Sequence, residues 1–337
     1  MTIKDIAAKC GVSVSTVSRV LNNYPYVKED IREQVLRVIE EEHFVPHNGA
    51  VSLVKPPADS IGVLIRGTGN HFFQEIIHVI QTAIEEAGYK FLMRQITMEA
   101  DELRAAAAFA KEKGLKGLVL LGGRFDWTEE EAAILTTPFV CCTFTNKFGE
   151  LSSSRYSSVA IDDKEEAYRA TKFLIDHGHK DIAIVVASKK DHSVSQLRYE
   201  GYRKALMDAG LEPDDRLVIE TGSFHMDDAY EAVSKAIKKG LAFTGLFVIS
   251  DFMAMAAIKA LAEDGRQVPK DCSVIAIDGV EMSKYIIPTL TTLVQPRKEI
   301  AQNAIEILIR MIEGTSKSAQ FLLNADLREG GSVRQLS

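Results

Sequence analysis

The stretch VSVSTVSRVLNN, residues 12–23, combines four hydroxyl side chains, two asparagines and one arginine with regularly spaced valines and a leucine. Short side chains let a helix backbone approach the edges of DNA bases, and the guanidinium of Arg19 offers two parallel donors that match the paired acceptors of guanine. The hydroxyl of Ser13 or Thr16 can also donate to a phosphate, which positions a helix without reading the base sequence. The pattern favours a DNA-reading helix over the alternative, an amphipathic helix with a solvated face.

Such a helix needs neighbours that hold it in place, and residues 2–44 have helical periodicity throughout. Gly11 is expected to end the first helix and Ser13 to cap the second, which is the tight turn of a helix-turn-helix. The apolar residues that would fix the angle between the two helices are Ile6, Ala7, Val12, Val17 and Val20. The residues left facing outward are Val14, Ser15, Thr16, Ser18 and Arg19. The sequence therefore predicts an all-helical helix-turn-helix DNA-binding domain at 1–44.

The charge distribution agrees with a local DNA contact. The formal charge is −7 over 337 residues, which argues against a protein that coats nucleic acid by bulk attraction. Residues 1–37 nevertheless carry six Lys or Arg against four Asp or Glu. No stretch reaches the roughly 20 apolar residues of a membrane helix, and the N-terminal MTIKDIAAKC lacks a signal-peptide core. We expect a cytoplasmic protein without a membrane partner, associated with the nucleoid when bound to DNA.

The pattern changes after residue 44. Residues 45–58 contain Pro46, Pro56 and Pro57 and little apolar content, which predicts a linker. From Ser60 onward apolar strands alternate with amphipathic helices, as in parallel sheets covered on both faces. Nine strand-like runs exceed one such unit, so we expect two parallel-sheet α/β subdomains within 59–337.

Polar or aromatic residues come at or near the ends of several strands, and parallel sheets bind ligands at the C-terminal ends of their strands. The candidates are Phe72, Phe73, Asp162, Arg198, Phe224 and Asp251. As an alternative to ligand binding, Phe72 and Phe73 could pack into the core. Arg198 and Asp251 could instead belong to structural ion pairs. Asp163, beside Asp162, is interpreted as a helix N-cap.

The motifs of an enzyme are missing from the sequence. GTGNHF resembles the start of a dinucleotide fingerprint, but Phe72 stands where the third glycine is needed and the next strand lacks a terminal acid. There is no Walker motif, no GxSxG and no zinc-type His pair. The cysteines at 10, 141, 142 and 272 show no paired-ligand spacing and are expected to be buried thiols. We predict a protein without catalytic residues, metal or cofactor.

The segment TIKDIAAKCGVSVSTVSRVLNN resembles the signature of the lactose-repressor (LacI/GalR) family of bacterial transcriptional regulators. FVPHNGAVSLV is similar to the family's hinge, and VAIDDKEEAYRATKFLIDHGHKDIAIV to its central strand-helix-strand unit. LFVISDFMAMAAIKAL and VIAIDG are similar to its C-terminal half, and IPTLTTLVQP to its crossover back. Because the matches run in order along nearly the whole chain, together they are more specific than any single motif.

The resemblance implies a homodimeric repressor that reads a pseudo-palindromic operator, with Val14, Ser15 and Arg19 at base-reading positions. The full set of expected DNA contacts is Ser13, Val14, Ser15, Thr16, Ser18, Arg19, Asn22 and Leu53. The hinge at 45–58 would fold on operator DNA, with Leu53 as a wedge that unstacks a minor-groove step and bends the duplex. Gly49 departs from the family pattern. Glycine inside a helix costs roughly 0.5–1 kcal/mol relative to alanine, so this hinge should be harder to order than most.

For residues 59–337 the resemblance implies a periplasmic-binding-protein-like core. Its N-subdomain would comprise about 59–161 and 295–323, and its C-subdomain about 162–294 and 324–337. A small-molecule effector, favoured to be a sugar or sugar derivative, would bind between them. The expected contacts are Phe72, Phe73, Asp162, Arg198, Phe224 and Asp251. Thr143 and Phe144 stand where many members carry an acid, and Arg66 and His192 fall near pocket loops, so the contacts need not follow those of a familiar sugar.

Two other functions compete with this interpretation. A periplasmic-type protein that only captures sugar would explain the core, but it leaves the first 57 residues without a role and needs an export signal. A family member controlled by a protein co-repressor is the second alternative. Its pocket residues would tolerate alanine substitution without loss of control over DNA binding.

Overall fold

The computed structural model describes residues 3–21, 24, 26–42, 59–67 and 72–336. The chain divides into two compact units, Met1–Ala58 and Asp59–Ser337. The predicted hinge and two of the expected DNA contacts, Asn22 and Leu53, lie outside the described residues.

The first unit contains three helices: α1 (Ile3–Lys9), α2 (Val14–Leu21) and α3 (Glu29–Glu41). Their shared core is formed by Ile6, Ala7, Cys10, Val17, Val20 and Val35, with Val12 half-buried beside it. Four of the five predicted inner residues are thus fully buried, and the predicted helix-turn-helix packing is confirmed.

The turn between α1 and α2 depends on one glycine. Gly11 has a φ of +63°, in the left-handed region that costs other residues free energy. Its N–H donates to the Ala8 carbonyl at 3.3 Å, and the Val12 N–H donates to the Ala7 carbonyl at 3.0 Å. These two bonds close a Schellman motif, which satisfies carbonyls at the end of α1 and turns the chain into α2.

The second unit contains two six-stranded sheets. The first sheet has the order β11-β5-β4-β3-β1-β2, and every pair in it is parallel. Its strands are β1 (Ser60–Arg66), β2 (Lys90–Ile96), β3 (Gly117–Leu121), β4 (Phe139–Cys142), β5 (Ser157–Ile161) and β11 (Gln320–Leu323). Its helices are α4 (Phe73–Glu86), α5 (Glu102–Lys113), α6 (Glu129–Ala132) and α11 (Arg297–Ile312).

The second sheet has the order β12-β10-β9-β8-β6-β7. Its strands are β6 (Ile182–Val186), β7 (Val218–Glu220), β8 (Gly245–Val248), β9 (Ser273–Asp278), β10 (Thr291–Val294) and β12 (Asp326–Arg328). Its helices are α7 (Asp163–Asp176), α8 (Val194–Asp208), α9 (Met226–Lys238) and α10 (Asp251–Glu263). Only β12 runs antiparallel to its neighbour among the described strands, so the expectation of parallel sheets holds except at this edge.

Strand periodicity explains the layers. In β1, Ile61, Val63 and Ile65 pack into one apolar cluster while Leu64 packs into another, because successive side chains point to opposite faces. The four free cysteines are buried. Within the described residues no helix is long and apolar enough to cross a membrane.

The chain crosses between the two sheets three times. It passes from β5 to α7, from β10 to α11, and from β11 to β12. The connecting residues are 162, 295–296 and 324–325. A ligand enclosed between the sheets would therefore contact the crossing segments as well as the strand ends.

Candidate functional site

The outward surface of α2 carries the side chains predicted to contact DNA. Val14, Ser15 and Arg19 are exposed, and Thr16 and Ser18 are half-buried. Val14 leaves 40% of its surface exposed, so its side chain is available for contact.

Ser13 organises the start of this helix. Its Oγ accepts a hydrogen bond from the Thr16 backbone N–H at 3.1 Å, which is the N-cap predicted from the sequence. The same oxygen lies 2.7 Å from Ser15 Oγ and 2.8 Å from Thr16 Oγ1. Three hydroxyls are thus gathered at a helix N-terminus, where the helix dipole favours an anion such as a phosphate.

The core encloses a cavity of about 540 Å³ between its two sheets. Residues that end or follow strands of the first sheet line one side of it: Arg66, Gly67, Thr97, Gly122 and Thr143. Residues that end or follow strands of the second sheet line the other side: Ala187, Ser250, Asp278 and Gln295. The cavity therefore lies at the C-terminal ends of the strands, where α/β sheets bind ligands.

Four of the six predicted pocket residues line this cavity. Phe72 and Phe73 lie on the side of the first sheet, with ring centroids 5.5 Å apart, and Arg198 and Phe224 lie on the side of the second. The other two, Asp162 and Asp251, are absent from the lining, and the position of both is described.

Arg198 is the central charge of the cavity wall. It is only 4% exposed, and its guanidinium contacts Asp163 Oδ1 at 2.8 Å and Asp278 Oδ1 at 3.6 Å and donates to the Ile249 carbonyl. Burial raises the pKa of Asp163 to about 6 and that of Asp278 to about 7, although Arg198 acts in the opposite direction on both. Arg198 is thus both a lining residue and a member of a buried ion-pair cluster.

The structure corrects the interpretation of two neighbouring acids. Asp162, predicted as a pocket residue, is the N-cap of α7 and accepts from the Glu165 backbone N–H at 3.2 Å. Asp163, interpreted as the cap, is the buried partner of Arg198 instead. The preference of Asp for N-caps does not distinguish two adjacent aspartates, because only the direction of the chain at the crossing decides which one faces inward.

Asp251 is also corrected, because its carboxylate is used inside the fold. Its Oδ2 accepts from the Val280 backbone N–H and from Ser283 Oγ, each at 2.8 Å, and its Oδ1 accepts from Thr292 Oγ1 at 2.5 Å. The side chain is fully buried and joins α10 to the segment after β9 and to β10. This is a structural role, of the kind considered as an alternative at the sequence level, but with hydroxyl and amide partners rather than an ion pair.

Asp278 and Gln295 are lining residues that the sequence reasoning missed. Asp278 is the last residue of β9, and Gln295 Nε2 donates to its Oδ1 at 2.8 Å. The sequence contained a signal for Asp278, because this aspartate ends the apolar run CSVIAID, and polar residues at the ends of other strands were selected for that reason.

Backbone strain is concentrated around the cavity. Among the described residues, the non-glycine positions with positive φ are Thr143 (+73°), His192 (+50°) and Asp278 (+136°). Thr143 and Asp278 line the cavity, and both chain neighbours of His192 do so as well. Strained conformations persist where surrounding contacts hold them, and they are typical of binding sites.

His192 and Arg297 connect the two halves of the core beside the cavity. His192 Nδ1 lies 3.2 Å from Asp126 Oδ2, and its ring stacks on Phe148 with centroids 5.2 Å apart. Arg297 pairs with Glu75 Oε2 at 2.6 Å and donates to the Asp278 carbonyl at 2.6 Å. These polar contacts between the two halves therefore lie close to the ligand space.

A helix-turn-helix unit joined to a two-sheet core with a ligand-sized cavity defines a DNA-binding regulator with a sensor core. Residues 2–47 match the family model for bacterial regulatory proteins of the lacI family, and residues 171–333 match that for the periplasmic binding protein-like domain. The chain is 38% identical to the HTH-type transcriptional regulator MalR of Clostridium butyricum, over 98% of this chain and 99% of that protein. It is 33% identical to the HTH-type transcriptional repressor PurR of Vibrio campbellii, over 93% and 92%.

Solved structures agree with these matches. A complex of the transcriptional regulator CelR with cellobiose has a TM-score of 0.71 and 26% identity, over 98% of this chain and 99% of that one. A lac repressor dimer bound to operator and the anti-inducer ONPF has a TM-score of 0.71 and shares the fold at 23% identity, over 99% of each chain. The protein belongs to the lacI family of transcriptional regulators, as the resemblance in its sequence predicted.

Proposed function

We propose that this regulator binds a pseudo-palindromic operator as a homodimer and that a sugar or sugar derivative in the core cavity sets its affinity for DNA. Such control requires the ligand to prefer one arrangement of the two core halves over the other. The halves are joined by three chain crossings and by the contacts of His192 and Arg297, so a ligand that contacts both sheets would bias their arrangement.

The DNA-binding half of the proposal is supported by α2. Its exposed face offers Val14, Ser15 and Arg19 beside the capped N-terminus formed by Ser13. Because the net charge is −7, we expect weak non-specific affinity and a specific complex that depends on Arg19 and on Leu53.

The observation that carries the ligand half is the lining of the cavity. Arg198 and Asp278 present a guanidinium and a carboxylate at one wall, and Phe72, Phe73 and Phe224 present apolar rings to the same cavity. Aromatic faces and fixed charged hydrogen-bonding groups are the combination that suits a polyhydroxylated ligand. The cellobiose complex of CelR is a related case at 26% identity.

A thermal-shift screen tests the ligand. Purified protein is screened against neutral sugars, sugar phosphates and nucleobases, because a ligand that binds only the folded state raises the Tm. A hit is then titrated while operator binding is followed by fluorescence anisotropy, with a duplex selected from a random pool by the protein itself. We expect a neutral sugar to raise the Tm and to change operator affinity.

Phe224→Ala distinguishes this function from control by a protein co-repressor. Phe224 lines the cavity but does not belong to the buried ion-pair cluster. Its replacement should therefore lower the affinity for the ligand by about tenfold or more and leave the fold intact. Phe321→Ala is the matched control, because Phe321 lies exposed on β11 and is absent from the described lining. If Phe224→Ala kept full control of operator binding, the co-repressor alternative would gain.

A further inference from the structure

A buried carboxyl group lies behind the cavity wall of the first sheet. Glu102, at the start of α5, is only 1% exposed. Its Oε2 accepts from the Arg124 backbone N–H at 2.9 Å, but its Oε1 has no hydrogen-bond partner. Leaving a buried acceptor unsatisfied costs about 1–3 kcal/mol, and more for a charged group, so such an atom requires an explanation.

A complementary donor lies nearby. Arg66 ends β1 and lines the cavity, and its terminal nitrogen donates to the Met98 carbonyl. Its Nε is buried without a partner. Burial lowers the pKa of Arg66, and Glu102 is the charge that acts most strongly against this shift. The wall thus contains an unused donor and an unused acceptor on two groups of opposite charge.

The wall between Glu102 and the cavity is thin. Gly123 lines the cavity, and a Cβ added to it would lie 2.6 Å from Glu102 Oε1 and 2.2 Å from Phe144 Cζ. Phe144 is itself a lining residue. The lack of a side chain at Gly123 therefore brings the carboxyl within one atomic layer of the ligand space.

We propose that Arg66 and Glu102 form a polar subsite of this cavity that takes a hydroxyl group of a neutral ligand, with Arg66 Nε as donor and Glu102 Oε1 as acceptor. This inference rests on the proposed function and specifies its ligand class. A hydroxyl is suited to the place because it accepts and donates at once. A phosphate is less suited, because it is mostly a dianion at neutral pH and would face the ionised carboxylate of Glu102.

The subsite should make binding depend on pH. Burial raises the pKa of Glu102 to about 7, so the group titrates near neutrality. The charged or titratable groups that act on it or face it are Arg66 at the end of β1, Arg124 after β3, Asp101 at the cap of its own helix and Cys141 on β4. A ligand hydroxyl that donates to Oε1 favours the ionised form, so ligand affinity should rise from pH 6 to pH 8 and a proton should be released on binding.

The single tryptophan supplies the signal for a test. Trp127 packs edge-on against Phe144, with centroids 5.5 Å apart, so its fluorescence responds to a ligand against that ring. Glu102→Gln keeps an oxygen for the Arg124 N–H and replaces the free acceptor with a donor. Glu86→Gln is the matched control, because Glu86 is exposed at the end of α4 and is absent from the described cavity lining.

Cellobiose, ribose, other neutral mono- and disaccharides and glucose 6-phosphate serve as probes, each titrated at pH 6, 7 and 8. We expect at least one neutral sugar to bind, Glu102→Gln to lower its affinity by about tenfold or more, and the pH dependence to vanish. Glu86→Gln should stay within about twofold of the wild type. Both variants should unfold in a single cooperative transition without ligand, which shows that they are folded.

The possible failures are distinguishable. If a neutral sugar binds Glu102→Gln as tightly as the wild type, with the same pH profile, the subsite is wrong while the proposed function stands. Binding of glucose 6-phosphate in preference to every neutral sugar has the same meaning. If no member of the panel binds, the sugar-binding function and the subsite are both wrong.

Discussion

Replacing Asp251 with alanine should destabilise the core without removing a ligand contact. The carboxylate accepts three hydrogen bonds, from the Val280 N–H, Ser283 Oγ and Thr292 Oγ1, and it is fully buried. The substitution would leave a buried backbone N–H and two hydroxyls without this acceptor. Ser283 keeps a possible acceptor, because its single hydroxyl proton can turn from Asp251 to the Val280 carbonyl, whose oxygen lies 2.7 Å from Oγ.

The magnitude follows from these bonds. Each hydrogen bond to a charged acceptor contributes about 1.5–3 kcal/mol, and an orphaned buried N–H costs about 1–3 kcal/mol. The gain from no longer burying the carboxylate offsets part of the loss; burial raises the pKa of Asp251 to about 6, which shows that its ionised form is disfavoured in the fold. We expect a net loss of about 3–5 kcal/mol, which is the loss from these three bonds less the relief from no longer burying the carboxylate. At roughly 2–4 °C per kcal/mol for a domain of this size, the Tm falls by about 10 °C.

The assay is thermal unfolding by circular dichroism, with Asp162→Ala as the matched control. Asp162 accepts one hydrogen bond as a helix cap, so its loss should cost about 1 kcal/mol. Asp251→Ala that remains folded at 20 °C should still bind the ligand identified for the wild type. Equal Tm values for the two variants, or loss of ligand binding by folded Asp251→Ala alone, would refute the structural role assigned to Asp251.

Three further changes test other parts of the molecule. In Gly11→Ala the added Cβ meets no atom within 4 Å, but the alanine has a φ of +63°, which costs about 1 kcal/mol. Amide hydrogen exchange in α1 and α2 should therefore become about fivefold faster, and unchanged exchange rates would contradict the left-handed turn assigned to Gly11. Asp278 has a folded-state pKa of about 7, above the about 3.9 of unfolded aspartate, so its contribution to stability is lost as pH rises from about 4 through 7. Asp278→Asn should therefore gain at least about 1.4 kcal/mol relative to the wild type between pH 5 and pH 8 in urea unfolding, and parallel pH profiles would oppose this. His192→Ala removes the contacts with Asp126 and Phe148, so small-angle X-ray scattering of the ligand-free variant should show a larger radius of gyration than that of the wild type. Identical scattering curves for the variant and the wild type would mean that these contacts do not hold the two halves of the core together.

The elements of the fold were predictable because they rest on local patterns. Apolar runs bounded by turn residues placed nine strands of the two sheets, and all nine are present. Gly11 and Ser13 predicted the turn and cap of the helix-turn-helix, because left-handed backbone and N-cap hydrogen bonds have strong residue preferences. The antiparallel pairing of β12 was not predictable in this way, since strand direction depends on which edge of the sheet the chain reaches after its last crossing.

The cavity was predictable in position and only partly in composition. The rule that ligands bind at the C-terminal ends of parallel strands located it, and Phe72, Phe73, Arg198 and Phe224 line it. The same rule chose Asp251, which follows β8 and begins α10, and passed over Asp278, which ends β9.

The sequence by itself determined the order of helices and strands, the inner face of the helix-turn-helix and the edge of the sheets at which a ligand would bind. These depend on side-chain period, on glycine and capping preferences, and on the parallel arrangement that alternating strands and helices impose. Only the tertiary structure decided which carboxylates face the cavity and which are consumed within the fold. Asp162 and Asp163 are adjacent, and the change from the extended backbone of the N-cap to the first helical residue is a rotation that directs Asp162 to the cap and Asp163 to Arg198. That rotation is set by how α7 packs after the chain crosses between sheets, a long-range contact that leaves no local pattern in the sequence.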